Sequence, residues 1–205
     1  MKLKKMKSVS IAFVLPVLLA AVLSGCSPLD LVNLVSQDTP KPSDLYGTVN
    51  GQVYTNQAAG FEITYPDGYY LMNRDEINEL YAQNIEQMKG LVNDPKELEK
   101  AFEQNIPVSY VVKYSNDNSE GYNANVNIIV LDLETDQWDI VEYANQSVDY
   151  AGQSSDNLSY GAVVPVRIAD KNAAAVDLTL KLNEFTIPER QYYLKNKTYA
   201  VIISV

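Results

Sequence analysis

Residues 173–185, AAAVDLTLKLNEF, alternate from Val176 onward. Val176, Leu178, Leu180 and Leu182 fall on one side, and Asp177, Thr179 and Lys181 on the other. Period two over this length specifies a β-strand with one buried face and is incompatible with an amphipathic helix. Such a strand must belong to a sheet, and the rest of the chain has to supply its neighbours and its cover.

Neighbours are plentiful. RQYYLK and TYAVIISV flank Asn196-Lys197, a tight-turn signal, and predict a hairpin. NVNIIVLDL (125–133) puts Val126, Ile128, Val130 and Asp132 on one face, and IPVSYVVKY (106–114) is another β-rich run. AVVPVRIA (162–169) contains Pro165, which cannot donate to a ladder, so this segment reads as an edge strand or a bulge. Residues 46–56 read as an edge strand or as two short strands around Asn50-Gly51. In FEITYPDGYYLM (61–72), Phe61, Ile63 and Tyr65 share a side. The Pro66–Gly68 turn then predicts a hairpin in which YYLM returns along the first strand.

Three segments change period. Residues 74–89 place Ile77, Leu80, Tyr81, Ile85 and Met88 on one helical stripe, with Asn73 as N-cap and Gly90 as terminator. Residues 93–105 predict a short helix capped by Asp94, with Pro95 at its first position. Residues 135–153 predict a third helix with the stripe Trp138, Val141, Ala144, Val148 and Ala151, ended by Gly152. Seven or eight strands, mostly in hairpins, imply an antiparallel sheet, and amphipathic helices must cover it. The reading is α+β, a single domain over residues 46–205.

The 45 residues ahead of that domain have a different character. MKLKKMK is positive, and SVSIAFVLPVLLAAVL is an apolar core of roughly 15 residues, short of the ~20 needed to span a bilayer. Together they form the layout of a secretory signal. Its ending, LSGC, resembles the bacterial lipobox: Leu23, Ser24 and Gly25 precede Cys26, the only cysteine in the chain. That resemblance implies cleavage between Gly25 and Cys26, with diacylglycerol on the Cys26 thiol. Two acyl chains anchor firmly where one holds only marginally. The expected location is the extracytoplasmic face of a cell membrane. A plain secretory signal or an N-terminal anchor is the alternative. Residues 26–45 then form the lipidated cysteine and a tether, with Pro28, Pro40 and Pro42 and a reach on the order of 25 Å. Its apolar residues Leu29, Leu31, Val32, Leu34 and Val35 could rest on the membrane or on the domain.

Composition narrows the chemistry. The chain has no histidine, which removes the commonest general base and zinc ligand together. Its net charge is −10, and without the four lysines of the leader the 12 remaining basic residues face 26 acids, a net −14. Such a surface repels phosphate backbones, so nucleic acid is not expected as a partner. No S-x-x-K, P-loop or G-x-G-x-x-G motif occurs. Glu134, Asp136, Asp139 and Glu142 read as solvated helix-start charges. The loop NDNSEGYN offers Asp117 and Glu120 as calcium ligands, but it lacks the EF-hand order, and a hairpin loop explains the same residues. No catalytic residue and no cofactor are expected. Tyr69 and Tyr70 near a turn, and Tyr143 and Tyr150 on a helix, are candidates for a partner surface, because tyrosine is common at interfaces. Ordinary packing with wetted hydroxyls is the competing reading.

The run GTVNGQVYTNQAAGFEITYPDGYYLM, the strand YNANVNIIVLDL followed by a helix, and the final RQYYLKNKTYAVIISV together resemble bacterial lipoproteins with a PsbP-like domain. That superfamily shares its fold with the photosystem II extrinsic protein and a Ran-binding nuclear-import factor. The resemblance implies an α/β/α sandwich across residues 46–205 and carries no active site. It also implies a C-terminal helix, whereas this chain stops at Val205 within AVIISV; the expectation is a fragment or a dispensable helix.

The function expected is therefore a membrane-anchored, non-enzymatic binding or assembly module with an unidentified protein partner. The alternative is an extracytoplasmic enzyme or accessory that uses carboxylates, with calcium as a candidate ion. Solute capture for a transporter usually asks for two lobes, and this chain has room for one.

Overall fold

The protein is described by a computed structural model over residues 45–89, 106–113, 124–133, 135–154, 157–182 and 185–205. The strand with the clearest alternation lies beside one edge of the main sheet. β9 (Lys171–Leu182) runs antiparallel to β10 (Phe185–Asn196), and β10 to β11 (Tyr199–Ser204), in two consecutive hairpins. The turn between β10 and β11 falls on Lys197 and Thr198, with Lys197 at φ +54°. β11 then pairs with β6 (Asn125–Asp132), β6 with β5 (Ile106–Val112), and β5 with the two-residue β4 (Tyr70–Leu71). At the far edge β9 carries two short strands end to end, β7 (Leu158–Tyr160) and β8 (Val164–Ile168). Pro165 sits in that edge strand, where no neighbour asks for its missing N–H.

A separate meander precedes this sheet: β1 (Thr48–Asn50), β2 (Val53–Asn56) and β3 (Phe61–Thr64), in that order. Residues 46–56 are thus two strands, turning at Gly51 with φ +60°. The predicted hairpin over 61–72 does not form. β3 pairs with β2, whereas β4 crosses to the other sheet and pairs with β5. The Pro66–Gly68 turn bends the chain as its residues require, but the bend links two sheets instead of folding one strand onto itself.

The two described helices lie on one face of the eight-stranded sheet. α1 (Arg74–Met88) begins with a complete capping box: Glu76 N donates to Asn73 Oδ1 at 3.0 Å, and Asn73 N donates to Glu76 Oε2 at 2.7 Å. α2 (Ile140–Ser154) starts later than predicted and runs through Gly152. Asp139 caps it, its Oδ1 accepting from Val141 N and Glu142 N. Lys195 Nζ donates to the Asp136 and Trp138 carbonyls and fixes the approach to the helix. The fully buried positions of α2 are Ile140, Tyr143, Ala144, Ser147 and Ala151, a stripe rotated from the predicted one. Ile77, Tyr81, Tyr143, Tyr193, Val176 and Ile202 belong to the helix-side core.

The opposite face is covered by the meander. Tyr54, Tyr65, Val108, Ile128, Val130 and Val201 form a second core there. β6 is therefore buried on both sides, with Ile128 and Val130 in one core and Ile129 and Leu131 in the other. The fold is α+β, a single domain of mostly antiparallel sheet. The expected helices on both faces differ from what is found: among the described residues one face carries helices and the other a three-stranded meander. Among the described residues eleven strands are found against the seven or eight expected, because the broken edge and the meander are built of short pieces. The predicted helix over 93–105 lies outside the described residues.

Arg74 closes one exposed flank. β4 covers only the last two residues of β5, leaving the carbonyls at the other end of β5 open. Arg74 donates to Pro107 O at 2.6 Å and Val108 O at 3.2 Å, and its guanidinium lies 3.8 Å from the centre of the Tyr46 ring. A charged side chain across an open strand edge discourages pairing with another chain.

Candidate functional site

Gly25 and Cys26, and the loop residues Asp117 and Glu120, lie outside the described residues. The four candidate tyrosines are placed but do not share a surface. Tyr69 packs against the meander-side core, and Tyr143 and Tyr150 belong to the helix-side core. Tyr143 is buried, its ring between Trp138 (6.1 Å) and Tyr193 (6.3 Å). That excludes Tyr143 from a partner surface: the helix stripe turns it toward the sheet. Tyr70 is the one exposed member, and its hydroxyl donates to Glu76 Oε1 at 2.6 Å. Among the described residues no group of three or more His, Cys, Asp or Glu side chains could hold a metal ion.

An open groove of about 440 Å³ lies beside the start of α2, lined by Asp139, Ile140, Val141, Pro165, Arg167 and Asn172 among others. Its charged groups are already engaged. Asp139 caps the helix, and Arg167 donates to Asp170 O at 2.6 Å.

The chemically unusual place is the sheet surface beneath the helices. Strand registry aligns four polar residues across four strands there: Gln191 on β10 is opposite Ser204 on β11, Ser204 opposite Asn127 on β6, and Asn127 opposite Tyr110 on β5. Gln191 and Asn127 are wholly buried, and Ser204 is 2% exposed. Two residues along β10, on the same face, stands Glu189. Gln191 Nε2 donates to Glu189 Oε1 at 3.0 Å, and Tyr193 OH donates to Gln191 Oε1 at 2.8 Å. On the other side of Glu189, Leu178 of β9 and then Tyr160 of β7 continue its own cross-strand row.

Desolvation pushes the Glu189 carboxyl up to about 8, against the lesser opposing pull of Gln191 and Ser204. At neutral pH it is predominantly a neutral acid. Burial also pushes the phenols of Tyr81, Tyr160 and Tyr193 up, so they stay protonated alongside it. Three buried polar atoms in these rows have no hydrogen-bond partner: Asn127 Nδ2 and Oδ1 and Tyr160 OH. Each such group, left bare, costs on the order of 1–3 kcal/mol.

Sequence reading passed over this site. The signal was there in fragments. Asn127 sits among core-facing residues of a strand whose second face, Ile129 and Leu131, is also apolar, and Glu189, Gln191 and Tyr193 recur at spacing two. Only the pairing of β6, β11 and β10 brings those fragments together.

No protein-family model matches the chain, and no curated protein matches it. Among solved structures it is similar to PA94, a Pseudomonas aeruginosa protein of unknown function, at 11% sequence identity and a TM-score of 0.35, over 42% of this chain and 61% of that one. The match spans less than two thirds of that protein's own length. No helix among the described residues is long and apolar enough to cross a membrane.

Proposed function

We propose that this chain is a lipid-anchored module on the extracytoplasmic face of a cell membrane, where a PsbP-like domain binds or assembles with another protein. The observation that carries the reading is the tetrad Leu23-Ser24-Gly25-Cys26 directly after a basic segment and a short apolar run. The start of the described domain supports it. Leu45 is buried, and its carbonyl accepts from Asn56 Nδ2 at 2.6 Å, so the domain grips the chain at a fixed point next to the meander. Cys26 stands 19 residues ahead of that point. The meander end of the domain is then the end tied near the bilayer, and the helix face and the β8 edge are free to meet a partner.

Glu189 gives the carboxylate alternative its one specific support, a partly buried carboxyl whose pKa desolvation raises to about 8. General acid–base work requires the carboxyl to reach a proton on a bound substrate, and Glu189 does not line the groove beside α2. The groups acting on Glu189 are Gln191 and Ser204, not another carboxylate. The binding reading is the better supported of the two.

Fractionation tests the proposal. The wild-type chain is expected in the membrane fraction, released by detergent and not by salt, and Cys26→Ser is expected in the aqueous fraction. Crosslinking of both forms in cells should give a defined partner band that depends on anchoring. Identical partitioning of the two forms would overturn the location, and an anchored chain that crosslinks to nothing would overturn the assembly role.

A further inference from the structure

The polar rows under the helices pose a chemical question that the binding role leaves untouched. Asn127 is wholly buried, with both ends of its amide unpartnered, and Tyr160 OH is unpartnered on the same sheet face. Buried polar groups in native proteins are almost always satisfied by protein or by ordered water. Here the protein groups nearest to hand are committed elsewhere. Gln191 spends its amide on Glu189 and its carbonyl on the Tyr193 hydroxyl.

We propose that the row holds internal water that bridges the Asn127 amide to Ser204, beside Glu189. The chemistry of the lining selects the ligand. Asn127 offers both donors and an acceptor, and each hydroxyl offers one of each. The titratable groups facing Glu189 are Tyr81 from α1, Tyr160 from β7 and Tyr193 from its own strand, all kept neutral by burial. A site of neutral groups that both give and accept hydrogen bonds suits a neutral molecule with the same double capacity. Arg74, which acts on Tyr81, is spent on the Pro107 and Val108 carbonyls and so does not offer an anion its charge, and a cation would need a charged carboxylate in a desolvated place. Directly opposed side chains on neighbouring strands stand about 4.5–5.5 Å apart at Cβ, a separation that one water bridges and a larger solute does not.

The test is a crystal structure of the full chain, purified in detergent, at about 1.5 Å, with water peaks sought at hydrogen-bond distances of about 2.7–3.2 Å. At least two discrete peaks are expected, bonded to Asn127 Nδ2 or Oδ1 and to Ser204 Oγ. Water-oxygen relaxation dispersion on the same protein should count at least one long-lived internal water more than in Asn127→Leu. A dry contact, with the Asn127 amide bonded to protein groups, would overturn the proposal. So would density too large for water, or equal counts of long-lived water in the two proteins.

Discussion

Two asparagines among the described residues are wholly buried, one in the meander and one on the helix-covered face of the main sheet, and the protein treats them in opposite ways. Asn56, in the meander, is saturated. Its Nδ2 donates to Leu45 O at 2.6 Å and to Tyr54 OH at 3.0 Å, and its Oδ1 accepts from Ala59 N at 2.8 Å. Tyr54 OH passes the network on to Tyr46 O at 3.1 Å. Asn127, beneath the helices, has no protein partner at either end of its amide. The same contrast holds for two tyrosines. Tyr65 OH meets Ser109 Oγ at 2.9 Å and ties the meander to β5, whereas Tyr160 OH is bare. On the meander side these polar groups stitch backbone to backbone, and a side chain used that way specifies one structure. On the helix side they line a surface that protein atoms alone do not complete.

The contrast breaks first at the asparagines. Asn56→Leu removes three hydrogen bonds and strands the Leu45 carbonyl and the Ala59 amide in the core, so about 3–5 kcal/mol of stability should be lost in denaturant unfolding. Asn127→Leu strands no protein partner and exchanges an amide for an apolar side chain of similar size. Its cost should stay within about 1 kcal/mol. Equal costs at the two positions would erase the distinction between the faces.

The second break is in pH. The ordinary Glu value is 4.5, and burial raises that of Glu189 to about 8. Between those values the folded protein holds a proton that the unfolded chain has released. This group therefore supports folding fully below about 4.5 and loses that support as pH rises toward 8, at up to ~1.4 kcal/mol per pH unit. Glu189→Gln keeps the acceptor for Gln191 and cannot ionise, so its unfolding midpoint should lack this decline and exceed that of the wild type at pH 8. Parallel pH profiles for the two proteins would show that Glu189 is solvated.

The smallest effects sharpen the comparison. Tyr65→Phe should cost about 1–2 kcal/mol, because it leaves Ser109 unpaired in the core, and Tyr160→Phe should change stability by only a few tenths. Matched chemical denaturation curves for the two variants are the check.

Local chemistry was legible in the sequence wherever one segment carried the whole signal. The alternation of β9, the Asn73 N-cap, the turn at Asn50-Gly51 and the Pro165 edge strand could all be read from a few neighbouring residues. Long-range choices could not. The Pro66–Gly68 turn announces a bend but not the sheet that β4 will join, and β4 finds its partner some forty residues later, at Val111 and Val112. Trp138 fits the apolar period of α2 and yet precedes its first turn, since Asp139 takes the cap and fixes the phase of the helix. The polar rows were the least legible part. Tyr110, Asn127, Gln191 and Ser204 are far apart in sequence, and each looks ordinary until registry sets them side by side.

The placement of this domain at a bilayer rests on the thiol of Cys26, and intact-mass measurement of the protein isolated from its native membrane tests that placement most directly. The account predicts a mature chain that begins at Cys26 and carries the added mass of a diacylglyceryl group. A chain that retains residues 1–25, or one that begins at an unmodified cysteine, would contradict it.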